Sequence, residues 1–170
     1  MTKTVYLSLG SNLGDRLANL REATFRLRDL GRVTLQSSVY ETEPVEVEEA
    51  QPWYLNCAIT VETELEPATF LDRALAIEQA MGRERTGVRS ARTVDIDVIF
   101  FGDEVLTGRG LEVPHPRMAC RRFVLEPLAE VAPQFKHPVL KRTVRELLND
   151  LLTSSASGRT KKLDQPLVIS

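Results

Sequence analysis

Two acidic residues stand inside a segment that otherwise has the composition of a buried β-strand. The segment ARTVDIDVIFFG, residues 91–102, places Asp95 and Asp97 among Val, Ile and Phe. Because successive side chains of a strand alternate between its faces, both carboxylates point to one face and the intervening apolar residues to the other. Two ionised carboxylates at this spacing repel each other, so we expect positive charge between them, from arginines or from metal ions.

Mg²⁺ is one candidate for that positive charge. It prefers one or two carboxylates together with water and substrate phosphates to a cage made of protein ligands alone. The alternative is a solvated strand face on which the carboxylates pair with Arg92 and a neighbouring cation. The two aspartates alone leave both interpretations open.

The loop before this strand is rich in arginine. It holds Arg83, Arg85, Arg89 and Arg92, although the formal net charge of the chain is -2. Acidic residues that bind metal, beside arginines that bind phosphate oxygens, are typical of phosphoryl or pyrophosphoryl transfer. The alternatives are a solvated basic loop or a nucleic-acid contact, and the absence of flanking aromatic residues disfavours the nucleic-acid contact.

A second group of residues suits a flat heterocyclic ring. Phe123, together with Tyr54 or Trp53, offers two aromatic walls. Asn56 lies two residues beyond Tyr54, on the same strand face, and carries both hydrogen-bond donors and an acceptor. Core packing is the commoner role for any one of these aromatic residues, so the slot is a hypothesis.

The segment VPHPRMACRRF, residues 113–123, places His115 between two prolines. The prolines restrict the backbone and therefore the directions available to the imidazole. Such a histidine either donates a hydrogen bond to a phosphate or hydroxyl group, or is an exposed loop residue. Arg121 and Arg122 extend the positive charge along the chain.

Hydrophobic periodicity indicates which elements position these residues. It predicts strands over residues 4–9, 32–42 and 54–63, and helices over residues 17–31 and 68–81. The strand with the two aspartates follows, so the order is β-α-β-β-α-β. This order is that of a ferredoxin-like α+β fold, an antiparallel sheet with both helices on one face, which leaves the opposite face for a ligand or another layer.

Local signals place several boundaries within this order. The turn GSNLGDR, residues 10–16, lacks the GK[ST] ending of a phosphate-binding loop and predicts a tight strand-to-helix connection. Gly31 is placed to end the first helix, and Pro67 to begin the second. In the second strand, alternation predicts four inward-facing residues: Val33, Leu35, Ser37 and Val39.

The remainder of the chain predicts two more helices, near 123–131 and 144–152, which we expect to cover the sheet. Residues 1–152 are therefore predicted to form a single domain. Residues 153–170 are small and polar for most of their length and are predicted to be a flexible tail.

Composition limits the function classes. The chain has 170 residues, 42% of them hydrophobic and 27% charged, which is typical of one soluble domain and predicts no nucleic-acid or membrane partner. No apolar run approaches the ~18 residues of a membrane span, and the N-terminus does not have the pattern of a secretory signal, so we expect a cytoplasmic protein. Cys57 and Cys120 have no CxxC spacing and are predicted to be buried thiols.

The motifs together resemble those of the 6-hydroxymethyl-7,8-dihydropterin pyrophosphokinase family. The resemblance covers about residues 4–152 and rests on LGSNLGDR, YETEP, YLNCA, IEQAMGRER, RTVDIDVIFFG, VPHPRM and RRFVLEPLAEVAP, in the family's order and spacing. It implies an enzyme with a ferredoxin-like α+β core and two Mg²⁺ ions, and we expect a monomer. The implied reaction transfers pyrophosphate from ATP to 6-hydroxymethyl-7,8-dihydropterin in folate biosynthesis and yields AMP and the pterin diphosphate.

The resemblance also implies roles for individual residues. The implied catalytic residues are Arg83, Arg92, Asp95 and Asp97, and the two aspartates are also the implied ligands of both Mg²⁺ ions. The implied ATP-binding residues are Glu78, Arg83, Arg85, Arg92, Ile99, His115 and Arg121. The implied pterin-binding residues are Thr42, Val45, Tyr54, Asn56 and Phe123.

The chain departs from the family pattern in the arginine-rich loop. Where the family often has Arg-Trp-Gly-Pro-Arg-Thr, residues 88–93 read VRSART, so the Trp, Gly and Pro are absent. Two rival functions stay open beside the resemblance. One is a non-catalytic ferredoxin-like module that binds a nucleotide or a protein, and the other is a Mg²⁺-dependent phosphohydrolase. The aromatic pair beside an amide favours a flat acceptor over water.

Overall fold

The computed structural model describes residues 1–44, 52–82, 93–108, 110–154 and 160–163. Its strands are β1 (Lys3–Ser11), β2 (Arg32–Gln36), β3 (Tyr40–Thr42), β4 (Tyr54–Thr63), β5 (Asp95–Phe101), β6 (Leu106–Gly108), β7 (Leu111–Val113) and β8 (Thr160–Lys162). Its α-helices are α1 (Arg16–Leu27), α2 (Pro67–Ala80), α3 (Arg122–Val131) and α4 (Val144–Leu152). A short 3₁₀ turn, Met118–Cys120, precedes α3.

Local chemistry accounts for where three of the helices begin. The Asp15 side chain accepts a 3.1 Å hydrogen bond from the Ala18 N–H and caps α1. Thr143 and Glu146 form a reciprocal capping box at the start of α4. Pro67 occupies the first turn of α2, as predicted, where its missing N–H costs least.

The main sheet joins elements that are far apart in the sequence. Its strand order is β5-β1-β4-β3-β8, and β2 also pairs with β4, whereas β6 and β7 form a separate two-stranded sheet. The described pairings are antiparallel. The structure is therefore a mixed α and β fold with an antiparallel sheet, as predicted from the element order.

The predicted second strand, residues 32–42, is two strands that pair with different parts of β4. In β2 the register shifts between Val33, which lies opposite Val61, and Leu35, which lies opposite Thr60. The irregularity turns Leu35 to the other face, where it is 51% exposed. The prediction that Leu35 faces inward is therefore wrong.

The two faces of the sheet carry separate hydrophobic clusters. Helices α1 and α2 cover one face, whose buried residues include Leu7, Ile59 and Phe70. Helices α3 and α4 cover part of the opposite face, around Phe100 and Leu125. The second face therefore carries another layer over part of its area, which is one of the two outcomes predicted for it.

Two further predictions concern the cysteines and the tail. Both cysteines are free; Cys57 is buried, but Cys120 is exposed in the 3₁₀ turn, where its thiol donates to the Arg117 carbonyl, so the prediction of burial is wrong for Cys120. Within the predicted tail, Thr160–Lys162 forms β8, and residues 155–159 and 164–170 lie outside the described residues. No helix in the described ranges is both long and apolar enough to span a bilayer.

Candidate active site

The two aspartates of β5 lie on the same face of the sheet, as their spacing predicts. Asp95 and Asp97 are half-buried, whereas Val94, Ile96 and Val98 are buried in the cluster beneath α1 and α2. The aspartates belong to the opposite face, which α3 and α4 cover only in part. We refer to this side of the sheet as the site face.

Strand register places five residues in one row across the site face. Asp95 lies opposite Gly10, Gly10 opposite Asn56, Asn56 opposite Tyr40, and Tyr40 opposite Lys162. Residues that are directly opposite in paired strands point to the same face. The row therefore connects an acidic group on β5 with an amide two strands away, and its far end lies in β8.

Gly10 separates the acidic group from the amide, and its lack of a side chain is required there. A Cβ at this position would lie 2.6 Å from Asn56 Nδ2 and 3.3 Å from a ring carbon of Tyr54. The sequence pattern predicted Gly10 only as a turn residue. Its role depends on cross-strand register, and the sequence signal for it was a glycine at the end of a strand rather than inside the turn.

Three of the predicted pterin-binding residues lie together on the site face. Thr42 lies opposite Tyr54 in the β3–β4 pair, and the Thr42 hydroxyl donates to Asn56 Oδ1. Asn56 Nδ2 donates to the Leu9 carbonyl at 3.4 Å. Both Thr42 and Asn56 are buried, and a side-chain amide has two donors and an acceptor oxygen, so Asn56 has hydrogen-bonding capacity beyond these two bonds.

Phe123 and Arg121 lie where α3 begins. Phe123 is half-buried in the first turn of α3 and packs against the cluster of α3 and α4. The Arg121 guanidinium carbon is 5.5 Å from the centroid of the Phe123 ring, within the range of a cation–π contact. Because α3 packs against β4, this turn borders the face that carries Tyr54 and Asn56.

A backbone hydrogen bond anchors His115 to β5. The His115 N–H donates to the Ile99 carbonyl at 2.9 Å, and His115 Nδ1 accepts a 3.2 Å hydrogen bond from the Arg117 N–H. Burial, and then the charges of Arg121 and Arg117, lower the pKa of His115 to about 4. The imidazole is therefore neutral at pH 7 and carries its proton on Nε2, which makes it a hydrogen-bond donor.

Two of the predicted ATP-binding residues have clear structural contacts. Ile99 lies at the β1–β5 irregularity, and its side chain is buried among α3 and α4, so it reaches His115 through its carbonyl. Glu78 of α2 is buried, and its carboxylate accepts a 2.6 Å hydrogen bond from the Ile96 N–H. Glu78 thus contacts the backbone between the two aspartates.

Polar residues of the β1–α1 turn organise the segment before β4. Arg16 Nη1 contacts Glu41 Oε2 at 2.9 Å and the Trp53 carbonyl at 2.7 Å. Asn12, which is buried, donates to the Pro52 carbonyl at 3.3 Å. The motif GSNLGDR predicted only a turn. The presence of both Asn12 and Arg16 in so short a segment was a signal of a further role.

Five sequence-predicted residues lie outside the described residues: Val45, Arg83, Arg85, Arg89 and Arg92. Within the described ranges, no group of three or more His, Cys, Asp or Glu residues is arranged to hold a metal ion. The two aspartates do fit Mg²⁺, because they are half-buried oxygen donors on one face and Mg²⁺ takes its remaining ligands from water and phosphate.

The chain is similar to known proteins over most of its length. The family model for 7,8-dihydro-6-hydroxymethylpterin-pyrophosphokinase (HPPK) matches residues 6–133. The chain is 43% identical over 136 residues to the 2-amino-4-hydroxy-6-hydroxymethyldihydropteridine pyrophosphokinase of Bacillus subtilis, which covers 79% of this chain and 81% of that protein. It is 39% identical over 143 residues to the folic acid synthesis protein FOL1 of Dictyostelium discoideum, which covers 84% of this chain.

Some relatives are much longer than this chain. The match covers only 22% of the Dictyostelium protein. A crystal structure of wild-type Plasmodium falciparum HPPK-DHPS with SDX-DHP superposes with a TM-score of 0.74 at 17% identity, covering 90% of this chain and 45% of that one, and so supports the fold. From the family match and the extensive identity to the Bacillus protein, we conclude that the chain belongs to the 7,8-dihydro-6-hydroxymethylpterin-pyrophosphokinase family.

Proposed function

We propose that the protein transfers the pyrophosphoryl group of ATP to 6-hydroxymethyl-7,8-dihydropterin in folate biosynthesis, with AMP and the pterin diphosphate as products. Family membership supports this reaction. The structural observation that carries it is the row Asp95–Gly10–Asn56. In this row a carboxylate that could bind a metal ion and an amide that could bind the edge of a ring lie on one face, two strands apart. Two interstrand spacings are about 10 Å, the span of a two-ring heterocycle with a short side arm.

The pterin would lie between the aromatic residues of the site. Tyr54 and Phe123 are the proposed stacking groups, and Asn56, held by Thr42, would read the hydrogen-bonding edge of the ring. The side arm would then extend along the row past Gly10. The absence of a side chain at Gly10 leaves room for the Asn56 amide and the Tyr54 ring, and the arm would end near Asp95.

We propose direct attack of the pterin hydroxymethyl oxygen on the β-phosphorus of ATP. The new bond joins that oxygen to the β-phosphorus, and the bond from the β-phosphorus to the oxygen shared with the α-phosphorus breaks. AMP leaves with this oxygen, and the hydroxyl proton is released to solvent. Asp95 and Asp97 would hold two Mg²⁺ ions, which when bound neutralise phosphate charge and lower the pKa of the attacking hydroxyl. No described side chain is assigned as a general base.

The other residues of the site suit the phosphates. His115 is neutral and offers its Nε2–H as a donor, and Arg121 provides a cation beside it. Arg83 and Arg92, which lie outside the described residues, are the proposed catalytic cations, and Arg85 is a proposed ATP contact. In this arrangement the chain binds and orients the reacting groups and balances the charge of the transition state.

Several finer predictions belong with this proposal. The order β5-β1-β4-β2 supports the ferredoxin-like arrangement of the core. ATP and 6-hydroxymethyl-7,8-dihydropterin are the proposed substrates. A monomer in the cytoplasm, without a nucleic-acid or membrane partner, stays a prediction.

The direct test is AMP formation from ATP and the pterin, with Mg²⁺ and with excess EDTA. We expect Mg²⁺-dependent AMP formation only when the pterin is present. Asp97→Asn should lower kcat by orders of magnitude, because removal of one metal ligand costs several kcal/mol of transition-state stabilisation. Asp103→Asn, at an exposed carboxylate just beyond the end of β5, is the matched control and should retain activity.

Three results would contradict the proposal. Phosphate release from ATP without the pterin would indicate the rival phosphohydrolase. Binding of ATP without Mg²⁺ and without any turnover would indicate a non-catalytic module. Normal turnover by Asp97→Asn would show that this carboxylate is not a ligand of an essential metal.

A further inference from the structure

The C-terminal strand β8 adds an outer strand to the site face. It pairs antiparallel with β3, so that Thr160 lies opposite Thr42 and Lys162 opposite Tyr40. The Leu163 N–H extends the contact by donating to the Val39 carbonyl at 2.8 Å. Because paired residues share a face, Thr160 and Lys162 both point to the site face.

Strand β8 is also tied to α3, through two glutamates one helical turn apart. The Thr160 hydroxyl donates to Glu126 Oε2 at 2.7 Å, and Lys162 Nζ lies 3.8 Å from Glu130 Oε2. Four residues of helix rise about 6 Å and two residues of strand about 7 Å, so the two pairs match in spacing. The strand therefore runs along α3 with both contacts in register.

The Glu126 contact continues into the predicted pterin slot. The same carboxylate oxygen that accepts from Thr160 accepts a 2.7 Å hydrogen bond from Arg122 Nε. Arg122 is the first residue of α3 and directly precedes Phe123. A hydrogen bond to an ionised acceptor is among the stronger side-chain interactions, so it restricts how this turn is oriented.

Strand β8 also lies beside the other end of the predicted pterin slot, where Asn56 is located. Thr42, whose hydroxyl donates to Asn56, lies opposite Thr160 across the β3–β8 pair. Among the described strands, the three-residue strand β3 pairs with β4 and β8, so it would be an edge strand without β8. Strand β8 therefore contacts both the strand that orients the amide and the helix that carries the aromatic wall.

We infer that β8 contributes to pterin binding and that Thr160 is a positioning residue. Thr160 acts on Phe123 through Glu126, and it acts on Thr42 and Asn56 through β3. The inference rests on the proposed function, because it concerns the affinity of the same site for the pterin. It assigns a role in substrate binding to a segment whose composition predicts only a flexible tail. The proposed ATP-binding residues do not include Thr160, Glu126 or Thr42, so the affinity for ATP should change much less than the affinity for the pterin.

The test compares a substitution at Thr160 that removes the hydroxyl with one that keeps it. Thr160→Val keeps the shape of the side chain and removes the donor, and it should raise the KM for the pterin roughly three- to tenfold. The KM for ATP and kcat should stay within about twofold of wild type. Thr160→Ser keeps the hydroxyl and should restore the pterin KM, whereas Lys161→Ala, on the opposite face of β8, should have no effect.

Truncation gives a second measurement. A chain that ends after Leu163 keeps β8 and should bind the pterin as wild type does, and a chain that ends after Ser154 lacks β8 and should bind it more weakly than Thr160→Val. Titration of each folded variant with the pterin, followed by calorimetry, gives the Kd directly. Circular dichroism shows which variants are folded. If the chain that ends after Ser154 does not fold, the pterin affinity of Thr160→Val tests the inference.

The possible outcomes separate the two proposals. A wild-type protein that does not bind the pterin overturns the proposed function and this inference with it. A wild-type protein that binds the pterin, with an unchanged pterin KM in Thr160→Val, overturns this inference alone. Equal losses for ATP and the pterin would show a general structural role and would also overturn it.

Discussion

The carboxylate of Glu78 accepts a 2.6 Å hydrogen bond from the backbone N–H of Ile96, between the two aspartates of β5. Among the described strands, β5 is at the edge of the main sheet, so part of its backbone has no neighbour there to pair with. Glu78, which is only 1% exposed, provides such a partner from α2. A helix on one face thus holds the backbone that presents Asp95 and Asp97 to the other face.

This contact predicts the effect of changes at Glu78. Glu78→Ala should lower the free energy of unfolding by about 2 kcal/mol, because it leaves a buried N–H without its acceptor. Glu78→Gln keeps an acceptor oxygen and should recover part of that loss. Urea unfolding followed by circular dichroism measures both variants, and equal stability of wild type and Glu78→Ala would contradict the prediction.

Gly10→Ala should weaken pterin binding. The new Cβ would lie 2.6 Å from Asn56 Nδ2, so the amide must move away from Gly10, which disturbs its hydrogen bond with Thr42. Forcing such an overlap costs about 1–3 kcal/mol, which corresponds to a rise in the pterin Kd of roughly five- to 150-fold. The Kd of ATP serves as the internal control and should change little.

A double substitution checks the cause of that effect. Asn56→Ala removes the atom that the new Cβ would strike, so Gly10→Ala should cost less in the Asn56→Ala background than in wild type. Strictly additive losses in calorimetric titrations with the pterin would show that the two positions are not coupled.

Phe123→Ala should weaken pterin binding much more than ATP binding. The loss of one stacking wall should raise the pterin Kd roughly tenfold, since aromatic pairs contribute about 0.5–1.5 kcal/mol beyond the area they bury. Phe123→Leu keeps most of the apolar packing against α3 and α4, so it should retain stability and still bind the pterin weakly. Equal losses for both substrates would indicate that Phe123 is only a core residue.

The lowered pKa of His115 predicts how stability depends on pH. The ordinary histidine pKa is 6.5, and in the folded protein it is about 4, so between these values the unfolded chain binds more protons than the folded one. The free energy of unfolding should therefore fall as the pH decreases from 6.5 towards 4. His115→Gln, which cannot take up a proton, should reduce this slope.

His137 provides the comparison for that experiment. Burial also lowers its pKa, so it contributes a slope of the same sign. The chain has two histidines, and the variant without both should show the weakest dependence between pH 6.5 and 5 in urea unfolding series. An unchanged slope in His115→Gln would mean that the pKa of His115 is the same in the folded and the unfolded protein.

Local patterns predicted most of the elements because the forces behind them act over a few residues. The bounds of β4 and α4 agree with their periodicity, and Pro67 lies at the start of α2, but α1 ends at Leu27 and not at Gly31 as predicted. The same patterns failed at Leu35, since the irregularity in β2 arises from its pairing with β4. They also failed at Cys120, since local composition does not show which side of a short turn faces solvent.

The candidate site was predictable in its parts but not in its arrangement. Asp95 and Asp97 share a face because a strand alternates with a period of two, and this is visible in the sequence. The roles of Gly10 and Thr160 are not, because each depends on the residue opposite in another strand. Thr160 is more than 100 positions from Thr42 in the sequence, and no local pattern relates the two.

The sequence by itself determined most of the strands and helices and which face of β5 is acidic, because alternation, capping and turn chemistry are properties of neighbouring residues. It did not predict β8 or the division of residues 32–42 into β2 and β3. The family motifs in it also predicted the family. Only the tertiary structure decided that Asp95, Gly10, Asn56, Tyr40 and Lys162 form one row and that β8 closes it. The physical reason is that the register of a sheet depends on hydrogen bonds between segments that are distant in the sequence. This register is fixed only when the faces of the sheet are buried against the hydrophobic clusters.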